Sequence, residues 1–158
     1  MAEQSWDVVI IGGGPAGTRT ASGVSRRGLS TLILEKRERI GEPVRCAEAI
    51  GPAGSARRLL DLDERWISSR VDGLSVVAPG GRAFEESRGG IGYVLDRRAF
   101  DLALAGKAEG DGATLRTGHQ VTGLMEEGGA VRGVEVLDLS SGRSYKVRSR
   151  ITVGADGV

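Results

Sequence analysis

The sequence has little cysteine and few aromatic residues. Cys46 is the only cysteine among 158 residues, so no disulfide can form within the chain, which fits a reducing cytoplasm. Tryptophan, tyrosine and phenylalanine number two each, and the formal net charge is only +1. Because basic residues are interspersed with acidic ones and few rings are present for base stacking, we expect no nucleic-acid partner.

Long apolar runs are also missing. No run approaches the roughly 20 apolar residues that a membrane-spanning helix needs. The N-terminus has no basic segment followed by an apolar core, so the sequence shows no signal peptide. The 26 glycines follow no fixed period, which argues against a repeat protein. We expect a cytoplasmic protein, soluble or peripheral at a membrane, without a metal site.

A glycine-rich turn lies between a predicted apolar strand and a predicted helix near the N-terminus. The apolar segment 8–11, which follows Asp7, runs directly into Gly12-x-Gly14-x-x-Gly17, and a helical stretch follows. This strand–turn–helix context is typical of sites for an adenine dinucleotide. Gly12 suits the tight turn, Gly14 leaves room for a pyrophosphate, and Gly17 lets the helix lie close to the strand.

The helix after this turn has recognisable ends. Pro15 suits the first helical turn, where its missing N–H has no intrahelical partner. The free N–H groups of that turn are expected to face the phosphates, helped by the helix dipole. Gly28 is expected to end the helix.

A carboxylate ends the second predicted strand. Residues 31–34, Thr-Leu-Ile-Leu, predict the second strand, and Glu35 follows at its carboxyl end, where it can accept hydrogen bonds from the ribose hydroxyls of adenosine. A 2′-phosphate would meet a like charge there, which favours FAD or NAD over NADP. Lys36 and Arg37 directly after it weaken that exclusion. The alternative is that the glycines only make a tight turn and Glu35 is a solvated strand end.

The middle of the chain departs from this strand–helix alternation. Residues 36–51 predict an extended loop and residues 52–62 a short helix. Residues 73–78 and 82–84 predict a β-hairpin around Pro79-Gly80-Gly81, and residues 92–95 a third short strand. We interpret these elements as a layer inserted into the nucleotide domain.

The second half is expected to return to the main sheet. Asp96 can cap a helix through about residue 109, and residues 113–116 follow as a strand. Segments 120–125, 131–139 and 145–153 predict an antiparallel meander. The last strand runs into Gly154-Ala155-Asp156-Gly157, which places a turn and a carboxylate at the edge of the sheet where open α/β folds bind ligands.

With these residues in view, the sequence resembles the geranylgeranyl reductase family of FAD-dependent enzymes, within the wider p-hydroxybenzoate-hydroxylase-like flavoproteins. The glycine turn with Glu35 is shared by many FAD and NAD proteins, and segment 154–157 is similar to a motif of the wider class. Segment 43–50, Pro-Val-Arg-Cys-Ala-Glu-Ala-Ile, looks like the Pro-x-x-Cys-x-Glu-x block of the reductases and is the most specific match. Segment 92–101 also matches. Ala47 and Ala49 stand where many members have glycine.

The resemblance implies an α/β fold: a Rossmann-like FAD-binding domain with a parallel sheet, an antiparallel β-meander and an inserted β layer. Residues 1–158 would form this domain as the N-terminal part of a longer enzyme. Residues 36–95 would contain a flavin-side loop and inserted substrate-side strands.

The resemblance also implies roles for single residues. Ala16 and its neighbours would hold the pyrophosphate, Arg97 would reach the phosphates or ribityl chain, and Val121 would meet the adenine through its backbone. Arg98 is the rival of Arg97, because either guanidinium suits a phosphate. The cofactor-binding residues expected in total are Gly12, Gly14, Pro15, Ala16, Gly17, Glu35, Lys36, Arg45, Cys46, Ala47, Ala49, Arg97, Val121 and Asp156.

Cys46 is the single candidate for a catalytic role. A lone cysteine is commonly a small buried apolar residue, but this one lies in a polar loop beside the cation Arg45, a setting that makes thiols reactive. We expect it to lie near the flavin, with direct chemistry as the alternative. His119 has no partner pattern around it, and we expect a surface or turn histidine.

The implied activity is FAD-dependent reduction of C=C bonds in geranylgeranyl or other isoprenoid chains. The partners would be an isoprenoid or lipid substrate and an unidentified electron donor; the oligomeric state stays open. One alternative is an FAD-dependent aromatic monooxygenase or halogenase on the same scaffold, which the Cys46 loop disfavours. Another is a non-catalytic or truncated dinucleotide-binding module.

Overall fold

The structure, a computed structural model, describes residues 4–44, 46, 48–51 and 63–157. The chain divides into two compact units. The first unit comprises Met1–Glu42 and Asp101–Val158, and the second comprises Pro43–Phe100. Whether residues 36–95 divide into a flavin-side loop and substrate-side strands stays a prediction.

The first unit is built on a six-stranded sheet. Its strands are β1 (Gln4–Ile11), β2 (Thr31–Glu35), β6 (Thr114–Thr117), β7 (His119–Glu127), β8 (Ala130–Asp138) and β9 (Arg143–Gly154). The spatial order is β6-β2-β1-β9-β8-β7. β1 pairs in parallel with β2 and β9, and β2 with β6, whereas β7, β8 and β9 form the antiparallel meander. This confirms the expected combination of parallel sheet and meander.

The apolar run of β1 is buried on both sides of the sheet, as expected for a central parallel strand. Alternate residues enter two clusters, because successive side chains of a strand point to opposite faces. Val8 and Ile10 pack with Ala21 of helix α1 (Pro15–Ser25) and Ala108 of helix α2 (Arg97–Gly110). Val9 packs on the other face, with a cluster that also contains Leu32, Leu34, Val134, Val136 and Val147.

Both helices have the ends that the sequence predicts. The Oδ1 atom of Asp96 accepts hydrogen bonds from the N–H groups of Arg98 (2.9 Å) and Ala99 (3.1 Å), which caps α2. α1 ends at Ser25, and Gly28 follows with φ of 78° and donates its N–H to the carbonyl of Ser25. Within the part of the chain that is described, neither α1 nor α2 has the length and apolar character to span a membrane.

The second unit contains a three-stranded sheet of order β3-β5-β4. Its strands are β3 (Ala49–Ile50), β4 (Ile67–Val77) and β5 (Ala83–Leu95), and the hairpin β4–β5 confirms the predicted hairpin. The rings of Trp66 and Phe100 meet edge to face, with centroids 5.0 Å apart. The predicted helix over residues 52–62 lies outside the described residues.

The prediction of a separate third strand over residues 92–95 is wrong. β5 runs without interruption from Ala83 to Leu95. The pairing with β4 shifts register between Val71↔Gly92 and Gly73↔Ser87, so the intervening residues of β5 form a bulge. Gly89 and Gly90 lie in this bulge at positive φ. The glycines that resemble a strand break in the sequence therefore make an irregularity within one long strand.

The C-terminal ends of α1 and α2 are joined by a side-chain hydrogen bond. The buried hydroxyl of Ser22 donates to Oδ2 of Asp111 at 2.5 Å, and Nζ of Lys107 lies 3.4 Å from the same oxygen. The Ser22 hydrogen bond, followed by the attraction of Lys107, lowers the pKa of Asp111 below its ordinary value of 3.8. The charged carboxylate is therefore better stabilised in the folded state than in the unfolded chain.

We predict that Asp111→Asn lowers stability at neutral pH and that the loss disappears in acid. A lowered folded-state pKa gives stability that is present above the unfolded value, near 3.8, and is lost as the pH falls through the folded value. Urea unfolding from pH 7 to pH 2 measures the effect. Glu85→Gln, at an exposed position of β5, is the control. A pH-independent difference between wild type and Asp111→Asn would contradict the prediction.

Candidate functional site

The turn between β1 and α1 lies at the carboxyl edge of the parallel sheet. Gly12 is buried at φ of 105°, a conformation that side-chain-bearing residues rarely adopt, and its N–H donates to the carbonyl of Leu34. A Cβ atom at Gly12 would collide with the carbonyl oxygen of Ala155 and lie 2.9 Å from Cα of Asp156. The predicted role of Gly12 in a tight turn is confirmed, and the turn also packs against segment 154–157.

Gly17 brings α1 close to β1. A Cβ atom there would collide with the carbonyl oxygen of Gly12 and lie 3.3 Å from Cγ2 of Ile10. Because Gly17 is in the first part of the helix, a side chain would push the helix away from the strand. The prediction that Gly17 allows close packing is confirmed.

Gly14 differs from these two glycines because it faces open space. Apart from its two neighbours in the chain, no described residue has an atom within 4 Å of a Cβ atom built at Gly14. Its φ of −75° and ψ of −178° are accessible to any residue. The fold therefore does not require glycine at this position, whereas a pyrophosphate approaching the backbone would.

The start of α1 has no side-chain cap among the described residues. Gly14 is the N-cap and Pro15 follows in the first turn, with no acidic residue in that turn. The N–H groups of Ala16 and Gly17 therefore belong to the helix turn whose donors have no intrahelical acceptor. Such an N-terminus, with the positive end of the helix dipole, suits a phosphate group.

Glu35 is bound to the backbone of the glycine turn. Its Oε2 atom accepts the N–H of Gly13 at 2.7 Å, and its Oε1 atom accepts the N–H of Arg37 at 2.8 Å. This half-buried carboxylate is thus held beside the turn, in contrast to the solvated strand end considered as the alternative. A carboxylate has about four acceptor positions, so acceptors remain for ribose hydroxyls.

Gly13 is a site residue that the sequence pattern does not identify. A Cβ atom at Gly13 would lie 2.7 Å from Cδ1 of Ile40 and 3.1 Å from Cβ of Glu35. The terminal methyl group of Ile40, which is buried, would have to shift to make room for that Cβ atom. The Gly-x-Gly-x-x-Gly pattern leaves this position open, and the only signal in the sequence is that three glycines are consecutive.

Three other predicted site residues lie in the same unit. The N–H of Ala155 donates to the carbonyl of Ile11 at 2.8 Å, which holds the exposed Asp156 at the carboxyl end of β9. Val121 on β7 packs against the cluster that contains Leu34 of β2. Lys36 is exposed directly after Glu35. Their contacts with a cofactor stay predictions.

The second unit holds the remaining predicted residues. Cys46 is exposed, and Ala49 is exposed in β3. Arg97 is half-buried at the start of α2, whereas its rival Arg98 is exposed. Arg45 and Ala47 lie outside the described residues. The flavin contacts expected of this group stay predictions.

His119 is the first residue of β7, and its Nδ1 atom lies 3.0 Å from the hydroxyl of Tyr145 on β9. The two rings meet edge to face across the meander. This arrangement gives His119 a neighbour within the sheet. No group of His, Cys, Asp and Glu that could hold a metal ion is found in the described part of the chain.

The residues of the first unit fit an adenine dinucleotide. The open space at Gly14 suits the pyrophosphate, the uncapped start of α1 suits its negative charge, and Glu35 presents acceptors at the end of β2. The three features meet at one sheet edge because β1 and β2 are parallel neighbours.

The comparisons with known proteins agree with this geometry. The family model of FAD dependent oxidoreductases matches residues 7–157. The chain is 41% identical to digeranylgeranylglycerophospholipid reductase 1 of Methanococcoides burtonii, over 99% of the chain and 38% of that protein. The chain thus spans about two fifths of the length of the curated relatives that it matches.

Solved structures show the same fold. A geranylgeranyl bacteriochlorophyll reductase-like protein from Thermoplasma acidophilum has a TM-score of 0.88 at 30% identity, covering 99% of this chain and 40% of its own. An anhydrotetracycline hydroxylase from Streptomyces rimosus has a TM-score of 0.73 at 31% identity, covering 98% of this chain and 32% of its own. The resemblance to the reductase family, inferred from segments 43–50 and 92–101, and to the wider flavoproteins, inferred from the glycine turn and segment 154–157, is confirmed.

We predict that Gly14→Ala impairs dinucleotide binding without affecting stability, whereas Gly17→Ala lowers the stability of the fold. Gly14→Ala should leave the unfolding midpoint unchanged, because nothing in the described chain crowds that position, and weaken dinucleotide binding at least about tenfold by blocking the pyrophosphate. Gly17→Ala should destabilise the fold itself by about 1–3 kcal/mol through overpacking. Thermal unfolding and equilibrium dialysis measure the two effects.

The matched control is Gly106→Ala, an open position within α2. It should raise stability slightly, because alanine favours helix, and leave binding unchanged. Wild-type affinity in Gly14→Ala would mean that the ligand does not approach the turn at this glycine.

Proposed function

This chain belongs to the family of FAD dependent oxidoreductases, and we propose that it forms the FAD-binding part of a reductase that saturates C=C bonds in geranylgeranyl or other isoprenoid chains. The observation that carries the reductase proposal is the identity, along nearly the whole chain, with a digeranylgeranylglycerophospholipid reductase. FAD is the cofactor of the family.

The first unit would bind the adenosine and pyrophosphate parts of FAD. We assign the pyrophosphate to the backbone at Gly14 and to the N–H groups of Ala16 and Gly17, and the ribose to Glu35. Support comes from the open space at Gly14 and from a carboxylate already held beside the turn by Gly13. A prearranged acceptor loses little freedom on binding, which favours affinity.

The other predicted contacts extend this assignment. Val121 would meet the adenine through its backbone, which is supported by the position of β7 at the edge of the six-stranded sheet. Lys36 and Asp156 would flank the site. Arg97 is preferred to Arg98 as the phosphate or ribityl contact, since half-buried guanidinium groups hold anions more firmly than exposed ones.

The segment containing Arg45, Cys46, Ala47 and Ala49 would line the flavin. When bound in reduced form, FAD supplies the hydride for one alkene carbon. The other carbon needs a proton from a separate donor, and the electron donor that reduces the flavin stays unidentified. We propose that Cys46 contacts the flavin, with proton donation as the alternative to be tested. The task of the protein is then to orient the alkene and exclude water.

An isoprenoid lipid is the proposed substrate class, because the curated relatives are reductases of a digeranylgeranyl glycerophospholipid by name. Such a substrate is largely apolar and resides in membranes. We therefore propose a cytoplasmic protein that contacts a membrane surface peripherally while it takes up the lipid.

A second candidate function is aromatic monooxygenation. It is favoured by the likeness to the anhydrotetracycline hydroxylase, at an identity close to that of the reductase-like structure. The Cys46 segment, which matches the reductases, argues against it. The two candidates differ in what reoxidises the reduced flavin: an isoprenoid alkene in the reductase, and oxygen together with an aromatic substrate in the monooxygenase.

We predict that Glu35→Arg weakens FAD binding about tenfold to a hundredfold. The carboxylate would lose charged hydrogen bonds to the ribose, worth about 1.5–3 kcal/mol, and the new cation would find no 2′-phosphate. Isothermal titration measures the dissociation constant. Glu38→Arg, at an exposed position three residues later, is the control and should bind normally. An unchanged constant in folded Glu35→Arg would contradict the ribose assignment.

We predict that pre-reduced protein of natural length is reoxidised by geranylgeranyl substrates in a single turnover without oxygen. Stopped-flow absorbance of the flavin measures the rate. If Cys46 only contacts the flavin, Cys46→Ser should retain FAD and lose less than about tenfold in rate. If Cys46 is the proton donor, the loss should be about 10²-fold or more. If no polyprenyl compound reoxidises the flavin while an aromatic compound stimulates oxygen uptake, the monooxygenase replaces the reductase.

A further inference from the structure

Glu48 has an unusual backbone conformation. Its φ of 61° is the only positive φ of a non-glycine residue among the described residues. In this left-handed conformation the Cβ atom crowds the backbone, so glycine would be more stable there if the side chain did nothing. Strained residues of this kind persist where the surrounding contacts require them. The contacts of Glu48 are therefore expected to be what holds it in this conformation.

Both the backbone and the side chain of Glu48 bind neighbouring elements. Its carbonyl accepts the N–H of Leu95, the last residue of β5, at 2.8 Å. Its Oε1 atom lies 3.4 Å from the N–H of Arg97, the first residue of α2. Its own N–H donates to Sγ of Cys46, 3.4 Å away. One residue thus joins the Cys46 segment to the end of a strand and to the start of a helix.

The carboxylate of Glu48 lies where the first turn of α2 needs a hydrogen-bond acceptor. The first N–H groups of a helix have no intrahelical acceptor, and a negative charge beside them is favoured by the helix dipole. Asp96 already caps the N–H groups of Arg98 and Ala99, so the N–H of Arg97 is the donor that Glu48 satisfies. Glycine or alanine at position 48 would leave that N–H without this acceptor.

The segment that follows Glu48 lies close against β5. Ala49 and Ile50 pair with Val94 and Tyr93 as strand β3. A Cβ atom at Gly92 would collide with the carbonyl oxygen of Ile50, so β5 accommodates the segment only because position 92 is glycine. The bonds of Glu48 continue this attachment to the first residue of α2.

We propose that Glu48 is a positioning residue, which clamps the segment that carries Cys46 and Ala49 to β5 and to the start of α2. The left-handed turn directs the chain from the Cys46 loop into β3, and the carboxylate secures the turn. The link to the flavin rests on the proposed function, in which this segment lines the cofactor. The clamp itself does not depend on that function.

Residue-resolved amide hydrogen exchange on the full-length protein without flavin tests the clamp. Glu48→Gln retains an acceptor oxygen and should keep the amides of Leu95 and Arg97 near wild-type protection. Glu48→Ala and Glu48→Gly should increase exchange of both amides about tenfold. Glu85→Gln, an exposed position on the same strand pair, is the control and should change neither amide.

Two results would overturn the clamp. If Glu48→Gly is as protected as wild type, the side chain contributes only strain. If the amide of Arg97 exchanges faster and that of Leu95 does not, the carboxylate is only a cap of α2 and does not hold the segment. The rescue by glutamine separates both results from general destabilisation, which would affect amides throughout the unit.

The same variants then test the link to the flavin. Glu48→Ala and Glu48→Gly should weaken FAD binding severalfold and shift the visible absorbance bands of the bound flavin, whereas Glu48→Gln should not. Altered exchange with wild-type affinity and spectrum would overturn positioning of the cofactor-lining segment. If the wild-type protein binds no FAD, the proposed function fails, while the exchange experiment still decides whether Glu48 is a clamp.

Discussion

Three glycines around the turn between β1 and α1 lie in close contact with other atoms of the chain. Segment 154–157 lies against Gly12, the side chains of Glu35 and Ile40 lie against Gly13, and the turn itself packs against Gly17. A side chain at Gly12 or Gly17 would collide with backbone atoms, so glycine is needed at these two positions. The crowding also brings Glu35 within hydrogen-bonding distance of the N–H of Gly13. The close packing of the glycine turn thus also places the carboxylate that is proposed to bind the ligand.

The parallel core explains why this edge of the sheet is available to a ligand. β1 lies between β2 and β9, and its apolar side chains are covered on both faces by helices and by the meander. Both faces of β1 are thus occupied, and the ends of the strands are where loops and backbone donors face outward. Binding at the carboxyl ends of the strands is the usual solution for open α/β sheets.

The two units use charged side chains in a similar way. In the first unit, the carboxylate of Glu35 accepts two backbone N–H groups around the glycine turn. In the second unit, Glu48 accepts the N–H that begins α2 while its carbonyl holds β5. A carboxylate is effective in both positions because it accepts several hydrogen bonds and N–H groups at turns and helix starts lack other acceptors. Both residues belong to segments that the proposed function assigns to FAD.

Local patterns in the sequence were sufficient to predict many of the strands and helices of this protein. The apolar run into Gly12-x-Gly14-x-x-Gly17, the cap at Asp96 and the alternating meander strands predicted their elements, because each depends on residues that are near in sequence. The motif also predicted the roles of Gly12 and Gly17. The bulge within β5 was not predictable, because glycines at 89 and 90 look the same in a strand break and in a bulge until β4 provides a register.

The crowding at Gly13, the attachment of Glu35 to the turn and the contacts of Glu48 depend on residues that only folding brings together. Ile40 is 27 positions from Gly13 and Arg97 is 49 positions from Glu48. The sequence alone determined the class of the site, since that follows from which residue types occur at which spacing. The tertiary structure decided which carboxylate holds which amide, because that depends on distances of a few ångströms between segments far apart in the chain.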